Sequence, residues 1–397
     1  MSERPTRILI AGGGVAALAL MLALRALAEE RVEIELLSAE QEFVYRPRAV
    51  AEPFDVGKAH RFDLAAIAQD RSARVRLGAL AGVDAERRHA LTADGHELDF
   101  DVLPIAVGAR PREALPGALT FAGEESRHAF RDLLGELGPG GIERLAFAVP
   151  GGTVWALPLY ELALMTSTYA AARRLDGVQI TLVTPEEAPL GLFGLRASNA
   201  IRALLGDRGI AVRTGAYPTL VEDGRLLVTP GEPVAADRVV ALPVLEGPRL
   251  PGVPHDAGGF IPTDPYGRVE GLDDVYAAGD ATTFPVKQGG IATQQADVVA
   301  KSIAALAGAP VTPEPFRPVL RGLLLTGNTP GYLRAELRGG RGEASEMDME
   351  PLWWPPSKIA GHYLSRYIAT LVAAEPPPES GIRIEVDDLE PLLESGR

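Results

Sequence analysis

The hydrophobic pattern changes period twice between Arg7 and Glu40. Ile8 to Ala11 is an unbroken apolar run, which predicts a strand buried within a sheet. Val15 to Ala28 predicts a helix, and Val32 to Leu37 returns to alternating apolar positions, a second strand. The unit is therefore β-α-β. Ala73 to Leu77 predicts a further strand, and Ala90 to Leu98 a hairpin about Asp94-Gly95. Phe100 to Pro111 closes the segment, and the Pro/Gly-rich stretch from Pro111 to Gly117 predicts a crossover.

A second unit repeats the first. Leu145 to Val149 predicts a strand, Pro150-Gly151-Gly152 a turn, Leu159 to Ala172 a helix and Val178 to Val183 a strand. The two second strands end alike, Leu36-Leu37-Ser38-Ala39-Glu40 beside Leu182-Val183-Thr184-Pro185-Glu186. This internal symmetry points to an α/β chain with two nested Rossmann-like, three-layer domains and a small C-terminal domain. The expected boundaries are 1–115 with 243–308 for the first domain, 116–242 for the second and 309–397 for the third. The last ends in a Pro-rich, acidic tail from Glu375.

Composition narrows the chemistry. A formal net charge of -14 argues against a nucleic-acid surface, which needs a basic face. The chain has no cysteine, so disulfides, thiolate metal sites and redox through a cysteine pair are excluded. Its 6 histidines are scattered without ligand spacing, so no zinc site is expected. The apolar run from Val15 to Leu24 is interrupted by Arg25 and is too short to span a bilayer, so a cytoplasmic location is expected.

Between the first strand and helix lies Gly12-Gly13-Gly14-Val15-Ala16-Ala17, a Gly-x-Gly-x-x-Ala loop. Gly12 permits a tight turn, Gly14 lets backbone approach a pyrophosphate at the positive helix end, and Ala17 keeps helix and sheet close. Far downstream, Val275-Tyr276-Ala277-Ala278-Gly279-Asp280 predicts a short strand running into a Gly-Asp corner. Together the two motifs resemble the two-dinucleotide-fold flavoproteins, and in particular the type II NADH dehydrogenase and sulfide:quinone reductase branch of the pyridine-nucleotide oxidoreductases.

That resemblance implies non-covalent FAD, with Asp280 holding the ribityl chain and Gly279 forming its corner. It also implies a cofactor-facing role for Arg46 in the segment Glu42-Phe43-Val44-Tyr45-Arg46-Pro47, and for Gly108 in the strand-to-linker motif. Ser38 stands where the ribose-binding acid is usual, with Glu40 two residues on, and either could serve. Gln288 and Gly289 should offer backbone near the flavin pyrimidine edge. Lys287 either stabilises the reduced flavin there or is a solvated loop residue. Ile291-Ala292-Thr293-Gln294-Gln295-Ala296 resembles the branch's quinone-side helix, although its second glutamine falls on Val298. Lys287, Glu161 and Gln294 are thus the candidate catalytic residues.

Two departures limit the family functions. Sulfide oxidation there needs cysteines, which this chain lacks. The second loop carries Thr153-Val154-Trp155, and Thr184 replaces the second ribose acid, so the nicotinamide site is degenerate, and the domain is either a working NAD(P)H site or a structural remnant. Glu161 is either a flavin-side residue or an acid in the first helical turn. After Pro356, Ile359, Tyr363 and Tyr367 predict one face of an amphipathic helix, which covers an acceptor pocket, meets a membrane interface, or packs on the core or a homodimer interface.

The expected function is two-electron transfer through FAD, from NAD(P)H to a quinone or similar small electrophile. A different donor or a partner protein is one alternative, and a non-catalytic flavin-binding sensor is the other.

Overall fold

The computed structural model describes residues 4–123, 126–338 and 341–372. Its first elements are β1 (Thr6–Ala11), α1 (Val15–Ala28), β2 (Val32–Ser38), α2 (Leu64–Asp70), β3 (Arg74–Leu77) and β4 (Leu103–Ile105). A second series follows: β5 (Leu119–Thr120), α3 (Arg127–Gly135), β6 (Arg144–Ala148), α4 (Leu157–Ala172), β7 (Gln179–Val183), α5 (Leu195–Asp207), β8 (Ile210–Arg213) and β9 (Arg238–Ala241). The chain then returns through β10 (Val275–Ala277) and α6 (Gly289–Leu306). It ends in β11 (Val319–Leu324), β12 (Gly331–Arg338), β13 (Arg341–Asp348) and α7 (Leu364–Leu371).

The first sheet has the order β10-β4-β1-β2-β3 and is parallel throughout. β1 lies inside the sheet and is buried on both faces, which is why it reads as an unbroken apolar run. Ile8, Ile10, Ile34 and Leu36 face α1 and α6. Leu9, Ala11 and Leu37 face the other way, onto Val83, Ala90 and Phe100, in and beside a small antiparallel sheet. The second sheet, β5-β9-β6-β7-β8, is also parallel and repeats the scheme. Leu145 and Phe147 pack with Leu159 and Leu162 of α4, while Ala146 and Ala148 meet Leu226 and Val228 of another antiparallel sheet. Both units are thus a helix layer, a parallel sheet and a smaller sheet.

β11, β12 and β13 form an antiparallel meander. Leu320, Leu324 and Leu333 join the α4 core beside Phe193. The helix expected straight after Pro356 is absent up to Tyr363, and α7 starts only at Leu364. Side chains occupy the backbone groups a helix would need: Tyr45 Oη accepts from the Ile359 amide at 3.0 Å, and Ser365 Oγ donates to the Ile359 carbonyl at 2.7 Å. The acidic tail from Glu375 lies outside the described residues. Among the described residues no helix is long and apolar enough to cross a membrane.

Candidate functional site

The turn from β1 into α1 is shaped by two glycines doing different work. Gly12 has φ +136°, and a Cβ there would lie 2.3 Å from the Ala106 carbonyl oxygen, so no side chain fits. Gly14 caps α1, and nothing lies within 4 Å of where its Cβ would be. The loop is therefore open over Gly14, at the positive end of the helix. Ala17 is fully buried in the helix-sheet core. Ser38 is buried beside the loop, and its hydroxyl donates to the Glu40 carbonyl at 2.8 Å and accepts from the Glu40 amide at 3.2 Å. That leaves the exposed Glu40 side chain as the acidic group next to Ser38 at this strand end.

β10 delivers the Gly279-Asp280 corner to the same edge of the sheet. The corner is held from behind. Gln295 Oε1 accepts from the Gly279 amide at 2.7 Å, Thr282 Oγ1 donates to the Gly279 carbonyl at 3.0 Å, and Gln295 Nε2 donates to Thr282 Oγ1 at 3.3 Å. Asp280 itself is half-buried, and burial raises its carboxyl above the usual range, while the charges of Lys287 and Arg46 pull it down. Gln295 and Thr282 escaped the sequence reading, although Gln295 sits beside Gln294 in the same motif. Gly108 adopts φ +74°, with open space around it.

The start of α6 is fixed by Gln288, whose Oε1 accepts from the Ile291 amide at 2.9 Å while Nε2 donates to the Arg321 carbonyl at 3.0 Å. A Cβ on Gly289 would meet Ile359 at 2.8 Å, so the C-terminal segment lies directly on the helix end. Lys287 is buried, not solvated: its ammonium donates to the Thr282 carbonyl and lies 4.1 Å from the centre of the Phe260 ring. Gln294 is committed elsewhere. Its Nε2 donates to the Gly290 and Val319 carbonyls at 2.8 and 2.9 Å, and its Oε1 accepts from the Val319 amide at 2.9 Å. Both Nε2 hydrogens are spent on backbone, so its side chain ties α6 to β11 instead of presenting a donor to an acceptor molecule.

Glu161 is completely buried in the second turn of α4, not the first, because the helix starts at Leu157. Its Oε1 accepts from the Leu325 amide at 2.8 Å, and its Oε2 pairs with Lys358 Nζ at 2.6 Å. Burial pushes the Glu161 carboxyl up and the Lys358 ammonium down, each opposed by its partner. Next to Lys358, the Ile359 amide is bound by Tyr45, from the loop after β2. Three regions of the chain converge here. Lys358 gave no sequence signal as a lone lysine in an aromatic, Pro-rich stretch. Trp353, by contrast, is a packing residue, edge-on to Tyr332 with centroids 5.2 Å apart, its Nε1 donating to the Ser357 carbonyl at 3.0 Å.

The second glycine loop differs from the first. A Cβ on Gly151 would lie 3.5 Å from the Tyr217 ring, and Trp155 packs on Phe193 with centroids 5.8 Å apart. Glu186, just past β7, is turned inward: Tyr160 Oη donates to Glu186 Oε2 at 2.7 Å and Thr184 Oγ1 at 2.9 Å.

The first loop and the Asp280 corner fit FAD. The open space over Gly14 leaves room for a pyrophosphate, and the braced Gly279 corner carries the Asp280 carboxylate, an acceptor for a hydroxyl. The chain is 28% identical over 213 residues to an NADH dehydrogenase-like protein of Mycobacterium tuberculosis, covering 51% of this chain and 53% of that one, about half the relative's length. It is 28% identical over 305 residues to the ferredoxin--NAD(+) reductase component of the p-cumate 2,3-dioxygenase system of Pseudomonas putida, covering 72% and 70%. The sulfide:quinone oxidoreductase of Aquifex aeolicus shares the fold at TM-score 0.74 over 87% of both chains, with 18% identity. The model of the pyridine nucleotide-disulphide oxidoreductase family matches residues 6–298. This chain belongs to that family.

Proposed function

We propose that the protein passes two electrons from NAD(P)H through FAD to a small acceptor of the quinone type. The observation that supports this most is the buried Glu161–Lys358 pair at the junction of α4, the Tyr45 loop and the segment lying on α6. A buried ion pair adds little stability, because desolvation offsets much of the attraction. Its use is more readily chemical. Reduction of a quinone to a hydroquinone consumes two electrons and two protons, whereas an iron-sulfur carrier takes one electron and no proton.

The Gly14 loop and Asp280 would hold FAD, which when bound would supply two-electron transfer. The chain's own residues position and protonate. Lys358 Nζ carries a proton that burial makes easier to release, and Glu161 opposite holds that proton in place until it is taken. Tyr45 fixes the backbone at Ile359, and so the direction of Lys358. Asp280 and the Gly14 loop bind the cofactor, while Gln294 braces the acceptor side by joining α6 to β11.

The second loop favours another reading of the donor side. With Tyr217 against Gly151 and Glu186 tied to Tyr160 and Thr184, close pyrophosphate approach and a free ribose acid are both lacking. In that reading a small reductant or a partner protein supplies the electrons. Anaerobic mixing of the FAD-loaded protein with NADH and with NADPH separates the two. Rapid flavin bleaching supports NAD(P)H, and bleaching only by dithionite or light supports the other donor. A protein that reduces ferredoxin but no quinone would overturn the proposed acceptor.

A further inference from the structure

The Asp280 carboxylate is aimed by its backbone: among the described residues no hydrogen bond holds its oxygens. The residue before it is the least restrained kind. Gly279 has φ +77°, and a Cβ there would lie 3.0 Å from the Ala16 side chain of α1 and 3.5 Å from that of Ala292 in α6. The corner therefore passes between the two helices as glycine, which has no side chain to fix its flanking peptide groups. Other side chains do so. The Gly279 amide is taken by Gln295 Oε1 at 2.7 Å, and the Gly279 carbonyl accepts from the Thr282 hydroxyl and amide at 3.0 and 3.1 Å. Each polar role is forced. Gln295 Oε1 must accept from the amide, so Nε2 faces Thr282 Oγ1, and the Thr282 hydroxyl hydrogen is left for the carbonyl. Thr282 is anchored separately, since the Ala281 carbonyl and the Thr283 amide both pair with Ile261 at 2.9 Å. Both side chains are buried, so a Gly279 group released by either finds no bulk water.

We propose that Gln295 and Thr282 are positioning residues for FAD, which lock the two peptide groups of Gly279 and through them point the Asp280 carboxylate at a cofactor hydroxyl. The inference rests on the reading that FAD binds at the Gly14 loop and Asp280. The peptide joining Gly279 to Asp280 carries the carbonyl that Thr282 holds, so its rotation would swing the Asp280 side chain with it. A charge-assisted hydrogen bond is strong only within a narrow range of distance and angle, and that rotation would leave the range. Gln295 lies on α6, so the corner is tied to the same helix whose start carries Gln288 and Gly289. An apolar side chain of similar length in place of Gln295 fills the space and suits the helix, but leaves the Gly279 amide without an acceptor.

The test is FAD affinity of the deflavinated full-length protein, followed by flavin fluorescence, with thermal unfolding of the same cofactor-free samples. Gln295→Met, Thr282→Val, Thr282→Ser and Asp280→Ala are compared with wild type, together with the Gln295→Met/Asp280→Ala double variant. Gln295→Met and Thr282→Val should each weaken FAD binding at least about tenfold. Thr282→Ser keeps the hydroxyl and should stay within about threefold of wild type. In the Asp280→Ala background the Gln295→Met penalty should fall below about threefold, because no carboxylate is left to aim. A residue that only supported the fold would lower the melting temperature and keep its full affinity penalty in that background. Wild-type affinity in Gln295→Met, or an undiminished penalty in the double variant, would overturn the inference while leaving FAD binding intact. Should Gln295→Met not fold, equal FAD affinity in Thr282→Val and Thr282→Ser would overturn it as well. Failure of wild type to take up FAD would instead sink the cofactor site on which it rests.

Discussion

Gly14 separates two roles that sequence alone merges. A glycine in this position serves either the fold or the ligand. Here φ is -91°, and no protein atom lies within 4 Å of the Cβ position, so the fold does not require glycine. Gly14→Val should therefore leave the melting temperature of the cofactor-free protein unchanged within about 2 °C and lower FAD affinity at least about a hundredfold. Thermal unfolding and FAD titration of the same sample check both halves. Asp280→Ala should also lower FAD occupancy, by removing a charge-assisted acceptor, and a fully yellow variant would contradict the assignment. Both residues were legible in the sequence because a dinucleotide loop needs particular residue types at fixed spacing. Gln295 and Thr282 were not, because both act on the backbone of Gly279, which no residue pattern marks; Lys358 was not, because it meets Glu161 only when the C-terminal segment lies on α6.

Among the elements, α4 and the C-terminal segment form one unit. Glu161→Ala would leave Lys358 buried without a counter-charge and the Leu325 amide without its acceptor. The expected loss is about 3–5 kcal/mol, measured by urea unfolding. Glu161→Leu/Lys358→Met should recover most of that stability, since the two apolar side chains need no partner. If it recovers quinone reduction as well, the pair is structural only. Deleting the chain from Pro351 onward should destabilise the protein rather than merely slow it. The deletion removes Trp353 from Tyr332 and Leu323, Ile359 from Gly289 and Lys358 from Glu161. An unchanged melting temperature would show that this segment is an appendage.

The same scale explains which elements the hydrophobic pattern disclosed. β1, α1 and β2 are buried by their own sheet and its helices, so local periodicity reports them faithfully. The stretch from Ile359 to Tyr363 misled because its apolar spacing suits a helix, whereas Tyr45 and Ser365 take its backbone groups. The meander was silent for a different reason. β13, Arg-Gly-Glu-Ala-Ser-Glu-Met-Asp, is an edge strand rich in charge, with few apolar positions to mark it.

Across the whole molecule, two similar units have diverged in use. The first keeps an open glycine loop, and the second places Tyr217 and Trp155 around its own. With Glu186 tied to Tyr160 and Thr184, NADH and NADPH should bleach the flavin at similar rates, and a strong preference for either would contradict this. The flavin should come away intact on acid precipitation, since no cysteine is present to form a thioether.

An acceptor that must be protonated as well as reduced separates a quinone from a one-electron carrier. The most direct measurement is reoxidation of photoreduced, FAD-loaded protein in an anaerobic stopped-flow instrument. Wild type and Glu161→Gln are each mixed with a water-soluble naphthoquinone and, separately, with oxidised ferredoxin. We expect naphthoquinone to reoxidise wild type quickly and the variant at least about tenfold more slowly, with ferredoxin slow in both. Equal naphthoquinone rates in the two proteins, or ferredoxin outpacing naphthoquinone in wild type, would contradict the account.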